Sequence, residues 1–154
     1  MKWLIFTYLL FQIDNKTKRW AEDKLKKGAE PSPVGGGKFF LHRVSNKGMA
    51  GGVLSEKSDK ILIASTIAGA LIGLNFLFVI PRKGRLLAKT ASALLAAGAA
   101  GNLYDRWIKG SVTDFIRLGK GTGKLSSAVF NIADVFILAG GLLLIPVRLF
   151  DIKS

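Results

Sequence analysis

Residues 61–80 read ILIASTIAGALIGLNFLFVI, twenty consecutive positions without a charged side chain. About 20 apolar residues in a helix are enough to cross the roughly 30 Å of hydrocarbon in a lipid bilayer. The rest of the chain has a matching composition, because 49% of its 154 residues are hydrophobic and its mean hydropathy is +0.34. These values predict an integral membrane protein, and the length predicts one domain, residues 1–154.

Two more apolar stretches follow this one. Residues 86–104 are rich in Ala and Gly and contain one charge, Lys89, which is close enough to the end of the stretch to reach the interface. Residues 129–147 are interrupted only by Asn131 and Asp134. Both stretches predict membrane-spanning helices, and the small residues of the first would let neighbouring helices approach closely.

The N-terminal apolar stretch, residues 3–13, is too short to cross a bilayer alone. It lacks the small-residue pattern of a signal-peptide cleavage site. A helix that continues through Asp14 and Thr17 to Trp20 would complete a crossing that ends in an interfacial aromatic residue. The sequence therefore predicts an all-α integral membrane fold with four transmembrane helices. Their spans are about 3–20, 61–80, 86–104 and 129–147.

An even number of spans puts both termini on the same side of the membrane. The long first link contains a turn-forming run at 31–37, PSPVGGG, and then residues 39–44, which predict a short β-strand. The short second link carries Arg82, Lys83 and Arg85 without an acid, which favours a cytoplasmic location. Because the long first link is basic as well, the charge pattern does not orient the chain by itself.

The unusual polar residues of this chain share one side of the predicted membrane. They lie in the links or at the span ends opposite the termini, whereas the terminal side carries charges but no comparable group of acids and amides. A channel or transporter would need such residues at mid-membrane, so their position argues against that class. The residues are Asp14, Asn46, Asn102, Asp105, Arg106, Asp114, Asn131 and Asp134.

Composition excludes several kinds of chemistry. The chain has no cysteine and one histidine, His42, so thiol nucleophiles and disulfides are excluded, and neither a His-based triad nor a zinc site is expected. In a soluble protein the net charge of +13 would suggest nucleic-acid binding. Here the lysines flank apolar spans, so no nucleic acid is expected and anionic membrane phospholipids are the expected counter-ions.

Carboxyl groups remain as candidate catalysts. A carboxylate inside a span is costly unless it is paired or faces water, which singles out Asp134 as a functional candidate. Alternatively, Asp134 is an interfacial acid favoured by the helix dipole. Asn131 lies three residues earlier on the same helical face and can orient that carboxyl. Asn102 similarly stacks over Asp105 and Arg106, although an ordinary helix end with an ion pair has the same pattern.

Asp114 lies in the apolar run VTDFI at 112–116 and is expected at the membrane surface. Two close carboxyls share one proton, so the charged member can activate water while the neutral member polarises a scissile carbonyl. The residues therefore indicate aspartic-protease chemistry. They do not decide which acids form the pair, because Asp14 and Asp105 are also available.

Five short motifs occur in the order and approximate spacing of the bacterial lipoprotein signal peptidases (signal peptidase II), and the chain resembles that family over nearly its whole length. The last three motifs together are the most specific. The motifs are Asp14-x-x-Thr17-Lys18, Asn46-x-Gly48-x-Ala50, Gly101-Asn102-x-x-Asp105-Arg106, Val112-x-Asp114-Phe115 and Phe130-Asn131-x-Ala133-Asp134.

The resemblance implies that Asp114 and Asp134 form the catalytic pair. It also implies four crossings of the bacterial cytoplasmic (inner) membrane, with both termini cytoplasmic, the active site at the outer face, and a small extracytoplasmic β element in the first link. Substrate-binding or supporting roles would fall to Asn46, Asn102, Arg106, Asn131, Asp14, Asp105 and Lys18.

The substrate implied by the resemblance is a diacylglyceryl-modified prolipoprotein, whose signal peptide is cut just before the lipid-bearing cysteine. Sensitivity to globomycin-like cyclic peptides is implied as well. No metal or organic cofactor is expected, and the enzyme is expected to act as a monomer.

The sequence departs from the family pattern at one position that matters for substrate binding. Gly51 follows Ala50, where the family usually has an aromatic residue, so the way in which this loop covers the substrate stays open. The lysine-rich segment at 24–27 is expected to be a solvated face that contacts headgroups. A non-enzymatic membrane protein that binds lipopeptide or lipid is the competing class, but a binder has no need for two costly acids near the bilayer.

Overall fold

The structure is a computed structural model that describes residues 1–48, 58–119 and 128–149. Within these ranges the chain is mostly helical and carries one small antiparallel sheet. The elements, in chain order, are α1 (Lys2–Lys24), β1 (Ser32–Val34), β2 (Phe39–Asn46), α2 (Ser58–Val79), α3 (Leu86–Lys109), β3 (Val112–Leu118), β4 (Val129–Phe130) and α4 (Ile132–Leu149).

Helix α3 lies at the centre and packs against each of the other three helices. Its buried face consists largely of small residues, and a Cβ added at Gly98 would lie 2.5 Å from the backbone oxygen of Ala133 in α4. A Cβ at Gly140 of α4 would likewise lie 2.8 Å from the backbone oxygen of Ala91. The predicted close approach of helix backbones at small residues is therefore confirmed, because no side chain larger than hydrogen fits at these contacts.

The outer surface of the helices is apolar. In α2, large residues such as Ile63, Leu71 and Phe78 are 60%, 62% and 68% exposed by the fold. Among the described residues, two helices are long and apolar enough to cross a membrane, Asp59–Val79 and Leu86–Lys109, and Ile132–Val147 is a shorter apolar helix. An exposed apolar face of this extent is stable in lipid and not in water.

The predicted first span is one continuous helix, α1, which runs through Asp14 and Thr17 past Trp20. Its helical continuation is confirmed, but α1 is not among the helices that meet the length and hydropathy criteria for a crossing. The four crossings therefore stay a prediction. Polar residues on the inward face of α1, which are buried by the other elements, lower its hydropathy.

The sheet has the strand order β1-β2-β3-β4, and all neighbours are antiparallel. The strand predicted at 39–44 is confirmed as the core of β2. The expectation of an all-α protein whose β element belongs to the first link alone is wrong, because β3 and β4 come from the third link. Backbone groups of β2 are satisfied by pairing with β3, a segment some 70 residues away that local sequence patterns do not reveal.

The predicted fourth span is also wrong at its start. Val129 and Phe130 form strand β4, and α4 begins only after Asn131. The third helix, by contrast, extends beyond the predicted end at 104 to Lys109, where Gly110 adopts a left-handed conformation (φ 69°) that ends the helix.

Candidate active site

The predicted site residues come together where the ends of α1, α3 and α4 meet the sheet. Hydrogen bonds and salt bridges join them into one buried network. Ala50 and Gly51, whose role in covering a substrate was left open, lie outside the described residues. The residues found in this region are Asp14, Lys18, Asn46, Asn102, Asp105, Arg106, Asp114, Asn131 and Asp134.

Asp114 is held in strand β3 by antiparallel pairing with Val44 of β2. Its side chain is buried, with 3% of its surface exposed, and both oxygens accept hydrogen bonds from neutral amides. Asn46 Nδ2 donates to Oδ2 at 2.9 Å, and Asn131 Nδ2 donates to Oδ1 at 2.7 Å. Strand pairing and two amide donors thus fix this carboxyl, and no salt bridge reaches it from the described residues.

Burial raises the pKa of Asp114 from its ordinary value to about 6, and the hydrogen bond from Asn46 opposes this shift because it favours the charged form. The negative charge of Asp134 raises the pKa of Asp114 further, while the hydrogen bond from Asn131 and the charge of Lys18 lower it. A carboxyl with this proton affinity can exist in either protonation state near neutral pH.

Asp134 lies in the first turn of α4 and forms a reciprocal capping arrangement with Asn131. The backbone N–H of Asp134 donates to Asn131 Oδ1 at 2.9 Å, and the backbone N–H of Asn131 donates to Asp134 Oδ2 at 3.1 Å. This arrangement is a capping box, in which each side chain satisfies a backbone donor at the helix start. Asp134 therefore has the helix-terminal position considered from the sequence, and its carboxyl also belongs to the hydrogen-bond network of Asn102 and Asn131.

Asn131 and Asn102 bridge the two carboxyls. Asn131 contacts Asp114 through its amide nitrogen and Asp134 through its backbone, so both acids lie within reach of one residue. Asn102 Nδ2 donates to Asp134 Oδ1 at 2.8 Å, and its oxygen accepts from Asn131 Nδ2 at 3.1 Å. These contacts fix which way each side-chain amide is turned, so that Asn102 and Asn131 both point Nδ2 at a carboxyl oxygen.

Lys18 of α1 contacts both Asn102 and the two buried acids Asp14 and Asp105. Its side chain is fully buried, and Nζ lies 2.8 Å from Asp14 Oδ2 and 3.4 Å from Asp105 Oδ2. Nζ also donates to Asn102 Oδ1 at 3.0 Å, which leaves the amide nitrogen of Asn102 free to face Asp134. A buried cation between two buried acids is the pairing that makes such charges tolerable.

Asp14 connects this ion cluster to α4. Its Oδ1 accepts a hydrogen bond from the backbone N–H of Ala133 at 2.8 Å. Gly101 makes the approach possible, because a Cβ at that position would collide with the Asp14 carboxylate. Glycine in the Gly101-Asn102 motif is therefore required by space, a role that the sequence did not reveal.

Arg106 caps the network on the side of the first link. It donates to the backbone oxygens of Gly48 at 3.2 Å and of Asn102 at 3.4 Å. The predicted stacking of Arg106 over Asn102 is thus present. The alternative of a helix-end ion pair is present as well, because Asp105 pairs with Lys109 in the last turn of α3 at 2.8 Å, and Asp105 also pairs with the buried Lys18 of α1.

Three further residues join the network and were not predicted. Lys109 lies 2.7 Å from Glu22 and 2.8 Å from Asp105, and Thr113 donates to Glu22 Oε1 at 2.5 Å. A sequence signal existed: an acid, a lysine and an acid recur at intervals of four along α1 at Asp14, Lys18 and Glu22. That spacing places the three charges on one helical face.

The arrangement contains acids in two different environments. Asp14 and Asp105 are fully buried, and each forms a salt bridge with lysine. Within the described residues no salt bridge reaches Asp114 or Asp134, whose partners are amides and backbone N–H groups. Two neighbouring carboxyls without a bound cation can share a proton, which is the chemical requirement of acid–base hydrolysis by an acid pair.

Comparisons with known proteins agree on one family. The family model described as signal peptidase (SPase) II matches residues 6–150. The lipoprotein signal peptidase of Sulfurihydrogenibium sp. is 34% identical over 155 residues, which cover 97% of this chain and 92% of the relative. That of Aquifex aeolicus is 37% identical over 138 residues, covering 88% and 78%. A solved structure described as a bacterial membrane enzyme superposes with a TM-score of 0.79 at 27% identity, covering 97% of this chain and 88% of the other.

Proposed function

Because the chain belongs to the signal peptidase II family, we propose that Asp114 and Asp134 are the catalytic pair with which it cuts lipoprotein signal peptides. The activity of the family, removal of the signal peptide from lipoproteins, is the activity of this membrane enzyme. The observation that carries the choice of acids is their shared partner. Asn131 hydrogen-bonds to both carboxyls, and among the described residues neither carboxyl has a salt bridge to lysine such as those of Asp14 and Asp105.

In this mechanism the pair holds one proton between them. The ionised carboxyl takes a proton from a water molecule as that water attacks the scissile carbonyl, and the protonated carboxyl donates a hydrogen bond to the carbonyl oxygen. Their titration belongs to the pair and not to one residue. Asn102, Asn131 and Asn46 keep the carboxyls oriented, since the side-chain amide of each donates to one of them.

The proposed substrate is a diacylglyceryl-modified prolipoprotein, cut just before its lipidated cysteine. We place the single peptidase domain, residues 1–154, in the bacterial cytoplasmic membrane with four crossings, cytoplasmic termini and the acid pair at the outer face. The exposed apolar face of α2 supports contact with phospholipid acyl chains. Globomycin-like cyclic peptides are proposed to compete for the same site, the enzyme is proposed to act as a monomer, and no nucleic acid takes part.

Cleavage of a lipid-modified prolipoprotein peptide by the purified protein in detergent tests this function. We expect the diacylglyceryl-modified peptide to be cut on the N-terminal side of its cysteine, and the same peptide without the lipid to be cut at least about 100-fold more slowly, because lipid contacts contribute binding energy to the transition state. Mass spectrometry identifies both products. Binding of the lipopeptide without cleavage would favour the non-enzymatic lipopeptide-binding protein instead.

The raised pKa of Asp114 predicts the pH dependence of cleavage. The pair is active with one proton bound, and that proton leaves as the pH rises through the pKa of Asp114, which lies at about 6. We therefore expect kcat/KM to fall on the alkaline side of about pH 6, approaching tenfold per pH unit. A kcat/KM that rises steadily from pH 6 to pH 8, with the enzyme folded throughout, would contradict the assignment of the proton.

A further inference from the structure

An alternating row of charges runs from partly exposed residues at the protein surface to the buried Asp14. Lys109 is partly exposed and bridges Glu22 of α1 and Asp105 of α3, at 2.7 and 2.8 Å. Asp105 in turn lies 3.4 Å from the buried Lys18, which pairs with Asp14 at 2.8 Å. We call this row, Glu22–Lys109–Asp105–Lys18–Asp14, the charge ladder.

The outer end of the charge ladder holds the strand that carries Asp114. Thr113, the residue before it, donates its hydroxyl to Glu22 Oε1 at 2.5 Å and its backbone N–H to Asp105 Oδ2 at 3.2 Å. The position of β3 relative to α1 and α3 is therefore fixed one residue from the carboxyl. Glu22 is further fixed through its backbone oxygen, which accepts a hydrogen bond from Arg43 of β2 at 2.7 Å.

The inner end of the charge ladder holds the other acid. Lys18 donates to Asn102, and Asn102 donates to Asp134, so the chain of contacts from Lys109 reaches α4 as well as β3. A change of charge at the surface end is thus felt at both carboxyls through buried, weakly screened groups.

We propose that Glu22 and Lys109 are positioning residues that set the spacing of Asp114 and Asp134 and the tightness with which they share a proton. This inference rests on the proposed function. In the part of the chain that the structure describes, the polar contacts of Glu22 and Lys109 go to each other, Thr113 and Asp105 and not to Asp114 or Asp134. Each therefore acts through Thr113 or Asp105.

The net charge around the pair determines the sign of each effect. Lys109 compensates Glu22 and Asp105, so its removal leaves excess negative charge that favours proton retention, whereas removal of the Glu22 charge does the opposite. Among the described residues, the charged groups that face the acid pair and the ladder include Asp14, Lys18 and Glu22 from α1, Arg43 from β2, Asp105, Arg106 and Lys109 from α3, Asp114 from β3, and Asp134 from α4.

The test compares pH profiles of lipopeptide cleavage for Lys109→Met, Glu22→Gln and the double variant. We expect kcat to fall about tenfold in each single variant with KM changed less than about twofold. The alkaline fall in kcat/KM (the alkaline limb of the profile) should shift to a pH about half a unit higher in Lys109→Met, and to a pH lower by a similar amount in Glu22→Gln. The double variant should return the limb to the wild-type position, and Lys109→Arg should leave it there.

Shifts in opposite directions separate positioning from a merely structural role, which would lower activity without moving the limb. Lys16→Met, an exposed lysine on the same helix, is the matched control and should have a wild-type profile. Limbs that stay in place, or move in the same direction in both single variants, would overturn the proposal. If Lys109→Met does not fold, the isosteric Glu22→Gln alone tests the proposal, because its alkaline fall in kcat/KM should still move to lower pH. Failure of the wild-type protein to cleave the lipopeptide would instead reject the proposed function.

Discussion

Asp114→Asn and Asp134→Asn are each expected to lower kcat for cleavage of a lipid-modified prolipoprotein peptide by at least about 10³-fold, because each removes one of the two carboxyls that together activate the water and polarise the carbonyl. Asn has the shape of Asp, but its amide nitrogen replaces one of two oxygens that each accept a hydrogen bond from an N–H group. Each variant therefore loses one hydrogen bond, and its folding is measured together with its activity. Initial rates at saturating lipopeptide, measured alongside thermal unfolding in the same detergent, check this result.

Asp23→Asn provides the matched control, since Asp23 is an exposed acid on α1 and its variant should cleave at the wild-type rate. The two active-site variants should still bind the lipopeptide with an affinity near that of the wild type. If either variant cut the peptide at close to the wild-type rate while folded, the acid pair would have to be sought elsewhere, with Asp14 and Asp105 the remaining buried acids.

Removing the buried cation should have the largest effect on stability. Lys18→Met leaves Asp14 and Asp105 facing each other without the lysine that lies 2.8 and 3.4 Å from them. Removing one partner from a buried ion pair lowers the free energy of unfolding by about 3–5 kcal/mol. We expect a loss of this size in the free energy of unfolding, measured by denaturant titration in detergent micelles. We also expect a loss of activity, because Asn102 Oδ1 loses one of its two donors and keeps only Asn131.

Two comparisons make this expectation specific to the buried charge. Lys16→Met removes a lysine from the exposed face of the same helix and should change the unfolding free energy by less than about 0.5 kcal/mol. Asp14→Asn added to Lys18→Met should recover part of the lost stability, because one uncompensated carboxylate is removed. A Lys18→Met protein as stable as the wild type would show that Asp14 and Asp105 are not both ionised.

Several features of the site follow from local spacing and could be predicted. Asn131 and Asp134 are three residues apart at the start of an apolar stretch, which indicated a helix-terminal acid with an amide partner. The stripe from Asn102 to Arg106 likewise follows from helical periodicity. The clustering of polar residues at one side of the helices needed only the order of apolar and polar segments.

Other features depend on segments that are far apart in the chain. The hydrogen bond from Asn46 to Asp114 joins residues 68 positions apart, and that from Lys18 to Asn102 joins residues 84 positions apart. The β3 strand was missed because VTDFI is a short apolar run that fits either a membrane-surface segment or a strand. Only pairing with β2 makes it a strand.

The sequence by itself determined that this is a membrane protein and that carboxyl groups are its candidate catalysts, because hydropathy and the absence of cysteine are properties of composition. It also determined family membership, through motifs whose order is linear. The tertiary structure decided which acids are paired with lysine and which are held by amides alone. That difference depends on burial and on contacts between α1, α3, α4 and the sheet, so residues of one type, Asp14 and Asp114, acquire different environments through packing alone.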